Sequence, residues 1–366
     1  MNVLADWALR WLVVSLLRAV IFAAKIVYKY VFCPMPWAEA NDLKPIYSDV
    51  VIVRGFKYGT EHSRENGLFL AKRPGSAFAN ALRSLNPFWS PTMNLDDPSY
   101  RIKKDLPAVL FVHGGGWVIP GNEVQTQQLT PYARAGFAVY SVNYPLAPEH
   151  VFPQALVSVL KALRWLKVHR GHDRVICLGE SAGANLISMA AALVFNKPLM
   201  QRFQRDVPHA NVSQWSYPVI VRQCLWYGIC DQNAFRGKAL SKLCERGLDW
   251  SIEAYKSPLN AFHNDITIMD LKSELKSCCP TLFITGNKDP IGLQHSSRVA
   301  CEHFKSIDVP SQILEFDHTH GFVAYPPQIQ KWLFGVDVMT GAVPANECIL
   351  AFLKGGIEPA ITCYHS

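Results

Sequence analysis

Five residues constrain this chain more than any others: Gly179-Glu180-Ser181-Ala182-Gly183. Before them runs Arg174-Val175-Ile176-Cys177-Leu178, a β-branched and apolar stretch that reads as a buried strand. After them runs Asn185 to Phe195, rich in Ala, Leu and Met, which reads as a helix. A serine bracketed by glycines between strand and helix suits a turn so tight that the side chains two before and two after the serine must be hydrogen atoms. Its hydroxyl then stands above the sheet. Alone the five-residue pattern is weak, because an ordinary strand-to-helix turn can carry it. The rest of the chain decides between the two readings.

With 366 residues the chain holds one large domain or two small ones, and either buries a full core. The formal charge of +7 is spread along the chain, and part of it sits in the first 30 residues as Arg10, Arg18, Lys25 and Lys29. No basic run is interleaved with aromatics, so a nucleic-acid partner is not expected, and Arg101-Ile102-Lys103-Lys104 reads as a solvated loop. Of the ten cysteines most lie in apolar settings where a free buried thiol is the default, and no Cys-x-x-Cys pair supports structural zinc. Oligomeric state is not legible.

Trp7 to Phe32 is apolar and long enough to span a bilayer, with Arg18 at its middle. On a helical wheel Arg10, Arg18, Lys25 and Lys29 gather on one arc, opposite an apolar face that includes Leu12, Leu16, Val20 and Ile26. Two arrangements fit: a signal anchor with a snorkelling arginine, or a helix lying in the membrane interface. Residues 1–35 are therefore read as an N-terminal membrane anchor helix and 36–366 as the catalytic domain. Cys33-Pro34-Met35-Pro36 breaks the helix, and Pro74 to Lys104 reads as a loop excursion.

The spacing of apolar residues predicts strands at Val50–Val53, Gly67–Leu70, Ala108–Val112 and Phe137–Val142, then Arg174–Leu178, Gln223–Ile229, Thr281–Thr285 and Ser311–Phe316. Helices are expected at Phe152–His169, Asn185–Phe195, Gln294–Lys305 and Asn346–Leu353. Such alternation implies an α/β fold, a mostly parallel central sheet with helices on both faces and functional groups at the carboxyl ends of strands. Asp231 to Leu271 interrupts the alternation and reads as an insertion over one edge. Its aromatics Phe235, Trp250, Tyr255 and Phe262 are read mainly as packing, with an apolar pocket as the functional alternative.

Directly after one predicted strand comes His113-Gly114-Gly115-Gly116-Trp117. Consecutive glycines let the backbone turn its N–H groups outward, which an oxyanion hole requires, so Gly114, Gly115 and Gly116 are candidate donors. A phosphate-cradling loop fits poorly, since no Gly-Lys-Ser/Thr follows. A serine elbow also needs an acid and a base on loops after later strands. Asp289 follows Thr281–Thr285, and His320, beside Gly321, follows Ser311–Phe316. His318 is the alternative base and Asp317 the alternative acid.

Together these motifs resemble the hormone-sensitive lipase branch of the α/β-hydrolases, the group that includes arylacetamide deacetylase. The resemblance rests on His113 to Trp117, on Tyr144-Pro145-Leu146-Ala147-Pro148-Glu149-His150 with Phe152-Pro153, and on Gly179 to Gly183. It continues in Ser257-Pro258-Leu259, Asp289-Pro290 and His320-Gly321-Phe322. It implies the α/β-hydrolase fold with a helical cap at about 231–271. Ser181 would be nucleophile, Asp289 acid and His320 base, with Gly115, Gly116 and Ala182 as oxyanion donors. The implied activity is hydrolysis of lipophilic acyl esters without metal or cofactor, from an anchor in the endoplasmic reticulum membrane. An amide hydrolase, and a receptor or scaffold that has kept the fold, are the alternatives. Three departures stand out: Glu180 where the family commonly has Asp, Pro145 where it has Arg, and no acidic residue in Ile291-Gly292-Leu293.

Overall fold

A computed structural model describes residues 50–72, 107–119, 126–256, 265–323 and 339–355, together with Leu12, Ser15 and Leu16. The expected N-terminal membrane helix lies almost wholly outside the described residues. So do the 74–104 loop, Ser257-Pro258-Leu259 and Phe262. No helix among the described residues is long and apolar enough to cross a membrane.

Eight strands form one sheet: β1 (Val50–Lys57), β2 (Asn66–Lys72), β3 (Ala108–Val112), β4 (Val139–Val142), β5 (Arg174–Glu180), β6 (Val219–Trp226), β7 (Thr281–Gly286) and β8 (Ser311–Phe316). Their spatial order is β1-β2-β4-β3-β5-β6-β7-β8. β1 pairs antiparallel with β2, and β2 antiparallel with β4. From β4 to β8 every pairing is parallel. β3 and β4 are buried at every position, the continuous apolar run expected of a strand covered on both faces.

Two layers cover the sheet. On one face lie α1 (Thr126–Arg134) and α7 (Met339–Lys354), which pack Leu129, Tyr132, Ile349 and Phe352 against Val109, Phe111, Ile176 and Leu178. The other carries α2 (Gln154–Val168), α3 (Ala182–Phe195), α4 (Lys197–Asp206) and α6 (Leu293–Ser306) against Leu110, Val112, Val175 and Cys177. Successive strand residues thus serve opposite cores, the period-2 rule of the pleat. α3 is buried on all sides from Ala182 to Leu193, which is why its sequence lacks a polar face. Between β6 and β7, α5 (Lys242–Tyr255) is started by Ser241, whose hydroxyl accepts from the Cys244 N–H, and buries Leu248, Ile252 and Tyr255. This helix and the turn Ile268–Leu271 lie within the stretch expected to form the cap.

Several boundaries move. The helix after the Ser181 turn begins at Ala182 rather than Asn185, because the turn itself makes the first helical bond, from the Asn185 N–H to the Ser181 carbonyl. α1 and α4 are additional to the helices expected from the sequence. α1 spans nine residues, carries Pro131 and has few apolar residues.

Candidate active site

β5 delivers Ser181 to the carboxyl edge of the sheet with φ 50° and ψ −113°, a left-handed conformation that costs a non-glycine residue about 1–3 kcal/mol. Local bonds hold it there: the Ser181 N–H donates to the Trp226 carbonyl at 2.9 Å, and the Ser181 carbonyl accepts from the Asn185 N–H at 3.2 Å. The flanking glycines are sterically required. A Cβ at Gly179 would lie 2.6 Å from Ala184 Cα, and one at Gly183 would overlap the carbonyl oxygens of Val112 and His113. Ser181 also caps α3, at the positive end of that helix dipole.

The expected acid, Asp289, and the expected base, His320, lie on the loops after β7 and β8. Those loops are tied together, since the Lys288 N–H donates to the His318 carbonyl at 3.0 Å and the Asn287 N–H to the Phe316 carbonyl at 2.9 Å. Gly286 makes the approach possible, because a Cβ there would overlap the His318 carbonyl. The result sets His320 Nδ1 at 2.8 Å from Asp289 Oδ2, with the Asp289 side chain fully buried and that of His320 16% exposed. The other Asp289 oxygen accepts the Ile291 N–H at 2.8 Å. Burial pulls the His320 proton affinity down. The charge and hydrogen bond of Asp289, with the charge of Glu180, more than offset it and leave the pKa above the ordinary histidine value. The Tyr227 ring lies 4.7 Å from the His320 ring. Of the alternatives, Asp317 is ion-paired to Lys288 at 2.6 Å, and His318 stacks on Phe322 at 5.2 Å, its pKa lowered by burial. His320, not His318, is the histidine paired with Asp289.

On the glycine loop the Gly114 N–H donates to Glu180 Oε2 at 3.1 Å. Gly114, expected among the oxyanion donors, is therefore corrected: its N–H is already spent within the protein. Among the described residues no backbone carbonyl takes the N–H of Gly115, Gly116 or Ala182. The loop is fixed further by Tyr144, whose hydroxyl lies 3.0 Å from the His113 carbonyl and 3.2 Å from that of Gly114, and whose ring stacks on His113 at 4.4 Å.

The match to known families follows this geometry. Residues 109–324, more than half of the chain, match the family described as alpha/beta hydrolase fold. The chain belongs to that family. Among curated relatives of this chain are carboxylesterase NlhH of Mycobacterium tuberculosis, 33% identical over 34% of this chain and 36% of that protein, and mouse hormone-sensitive lipase, 30% identical over 31% and 16%. They are consistent with a hormone-sensitive-lipase-like branch. The chain spans about a third of the length of the carboxylesterase it matches, 36%. Among solved structures, esterase B from Lactobacillus rhamnosis superposes with a TM-score of 0.67 at 16% identity over 96% of both chains, a likeness of fold.

Three residues around this site gain roles that the sequence did not suggest. Glu180 anchors the glycine loop, Tyr144 braces it and Tyr227 walls His320. Glu180 and Tyr144 stand inside recognised motifs, but their partners are 66 and 31 residues away. Tyr227 has no motif. Elsewhere, Glu61, His62 and Glu65 of the β1–β2 hairpin offer ligand atoms within 4.8 Å of one another. Both carboxylates already face Lys161 Nζ, at 2.5 and 2.9 Å, so this cluster is an ion-pair network.

Proposed function

We propose that the chain is a serine carboxylic-ester hydrolase acting on lipophilic acyl esters. The observation that carries this reading is the His320–Asp289 pair at 2.8 Å, with the acid fully buried, on the same strand edge as the strained Ser181 turn. His320 Nε2 takes the proton of Ser181 Oγ as that oxygen attacks the ester carbonyl. Asp289 holds the other ring nitrogen and stabilises the imidazolium that forms. The N–H groups of Gly115, Gly116 and Ala182 receive the negative charge, a type of donor worth about 2.7–4 kcal/mol each when removed. The imidazolium returns its proton to the leaving alcohol, and the acyl-enzyme is then hydrolysed by water with His320 again as base.

The apolar cap residues Phe235, Ile252 and Tyr255 are all fully buried in the core, the packing role expected of this stretch, and the lipophilic preference is what the family resemblance implies. The relatives' names, carboxylesterase and hormone-sensitive lipase, point the same way. Attachment to the endoplasmic reticulum membrane through residues 1–35 belongs to the same proposal, supported by the apolar and one-sidedly basic sequence there. Ser181→Ala should fold like the parent, lose p-nitrophenyl butyrate turnover by a factor of about 10⁴ or more, and lose fluorophosphonate labelling. Parent-like turnover in that variant would end the serine assignment.

A further inference from the structure

We propose that Tyr255, on the cap helix α5, is a positioning residue that holds the oxyanion loop in its working shape. The proposal rests on the ester-hydrolase reading above.

The loop needs an external clamp. Gly115, Gly116 and Trp117 follow one another with φ 103°, 58° and 62°, all in the left-handed region, and Trp117 is not a glycine. Such a run persists only where its surroundings over-determine it. At its upstream end the core supplies the grip, through the Gly114 N–H bond to Glu180. At the downstream end the Ala147 N–H holds the Trp117 carbonyl at 2.9 Å, and the cap holds the Trp117 side chain. The Trp117 ring lies flat on the Tyr255 ring, with centroids 4.5 Å apart and planes 2° apart, and both side chains are fully buried.

One turn earlier on the same helix, Ser251 sits over Gly116, so close that a Cβ on the glycine would be 2.9 Å from Ser251 Oγ. Positions four apart share a helix face, so a single face of α5 meets two successive loop residues. Tyr255 is itself seated: Phe152 meets it edge-on at 5.5 Å, and the Phe152 N–H donates to the Tyr255 carbonyl at 2.7 Å. Moving the Tyr255 ring would free the Trp117 ring, leaving its backbone held through the Ala147 N–H, and would loosen the N–H directions of Gly115 and Gly116.

The contact is one of ring faces. Trp117 Nε1 and the Tyr255 hydroxyl are both buried without a hydrogen-bond partner among the described residues. Phenylalanine should therefore serve at 255 as well as tyrosine, since only an unpaired buried hydroxyl is lost. Leucine should not, because it cannot cover the indole.

The test compares full-length parent, Tyr255→Phe, Tyr255→Leu and Ser251→Leu on p-nitrophenyl acetate and butyrate, with kcat and KM determined separately. Misdirected oxyanion donors act on the transition state alone, so Tyr255→Leu should lower kcat about 10–100-fold with KM within about threefold of the parent. Tyr255→Phe should stay within about twofold of the parent in both constants. Ser251→Leu, which presses on Gly116 without disturbing the stack, should lower kcat about tenfold at little-changed KM. It decides the matter if Tyr255→Leu does not fold. Unchanged kcat in the leucine variants, a rise in KM alone, or Tyr255→Phe failing as badly as Tyr255→Leu would each overturn the proposal while the parent remains an esterase. A parent that turns over neither ester would remove the hydrolase reading, and this proposal with it.

Discussion

Glu180 is the residue on which most of the site converges. Its carboxylate is buried, accepts the Gly114 N–H at 3.1 Å and raises the proton affinity of His320 alongside Asp289. A base must be neutral to take the serine proton, so a raised pKa places the acid limb of kcat/KM above the ordinary histidine range. Glu180→Gln removes the charge but keeps an oxygen able to accept from Gly114. Its acid limb should move to lower pH with the plateau largely retained. Glu180→Ala should move the limb the same way and also lower the plateau, because the loop loses its upstream anchor. A pH–rate series on p-nitrophenyl butyrate reads both effects, and an unmoved limb in Glu180→Gln would show that His320 does not feel this charge.

Among the elements, α3 and β3 touch most tightly where the nucleophile turn meets the glycine loop. Gly183 is the contact point: it faces the carbonyl oxygens of Val112 and His113 with no room for a methyl group. Gly183→Ala must push α3 off β3, an overpacking that costs about 1–3 kcal/mol and occasionally more. The same shift carries Ala182 and its N–H away from the reacting carbonyl. Turnover should therefore fall by more than the lost stability explains, checked by the urea midpoint and by kcat of the folded fraction. Retention of the parent midpoint would contradict the packing. The same reasoning explains why Gly179 and Gly183 bracket the serine while Ala182 lies between them: two positions face neighbouring backbone, and the third offers an N–H.

For the molecule as a whole, chemistry is concentrated at one end of the parallel strands. The proposed membrane attachment belongs to a segment that precedes β1. Deleting residues 1–35 should move the protein from the membrane pellet to the soluble fraction while keeping ester turnover. Asn211, in the sequon Asn211-Val212-Ser213, is exposed in a left-handed turn. A catalytic domain facing the lumen should therefore carry a glycan there, seen as a glycosidase-sensitive mass shift that Asn211→Gln abolishes. An unshifted mass would argue for the opposite orientation.

What the sequence determined by itself was local or repetitive. All eight strands were legible: β3, β4, β5 and β7 as runs buried on both faces, and the others as shorter apolar stretches. The nucleophile turn was legible because its geometry admits only glycine at two fixed positions. Asp289 and His320 could be put forward as candidates, beside Asp317 and His318, because each follows a strand within a few residues. Helices whose apolar face is short or interrupted, such as α1 with Pro131, were not. Only the tertiary structure decided the rest. It set β4 outside β3, chose His320 over His318, committed Asp317 to Lys288, spent the Gly114 N–H on Glu180 and laid Tyr255 on Trp117. Each of these joins residues far apart in the chain, or selects between near neighbours by which loop packs beside which. Periodicity records what one segment buries. It does not record which distant segment arrives to cover it.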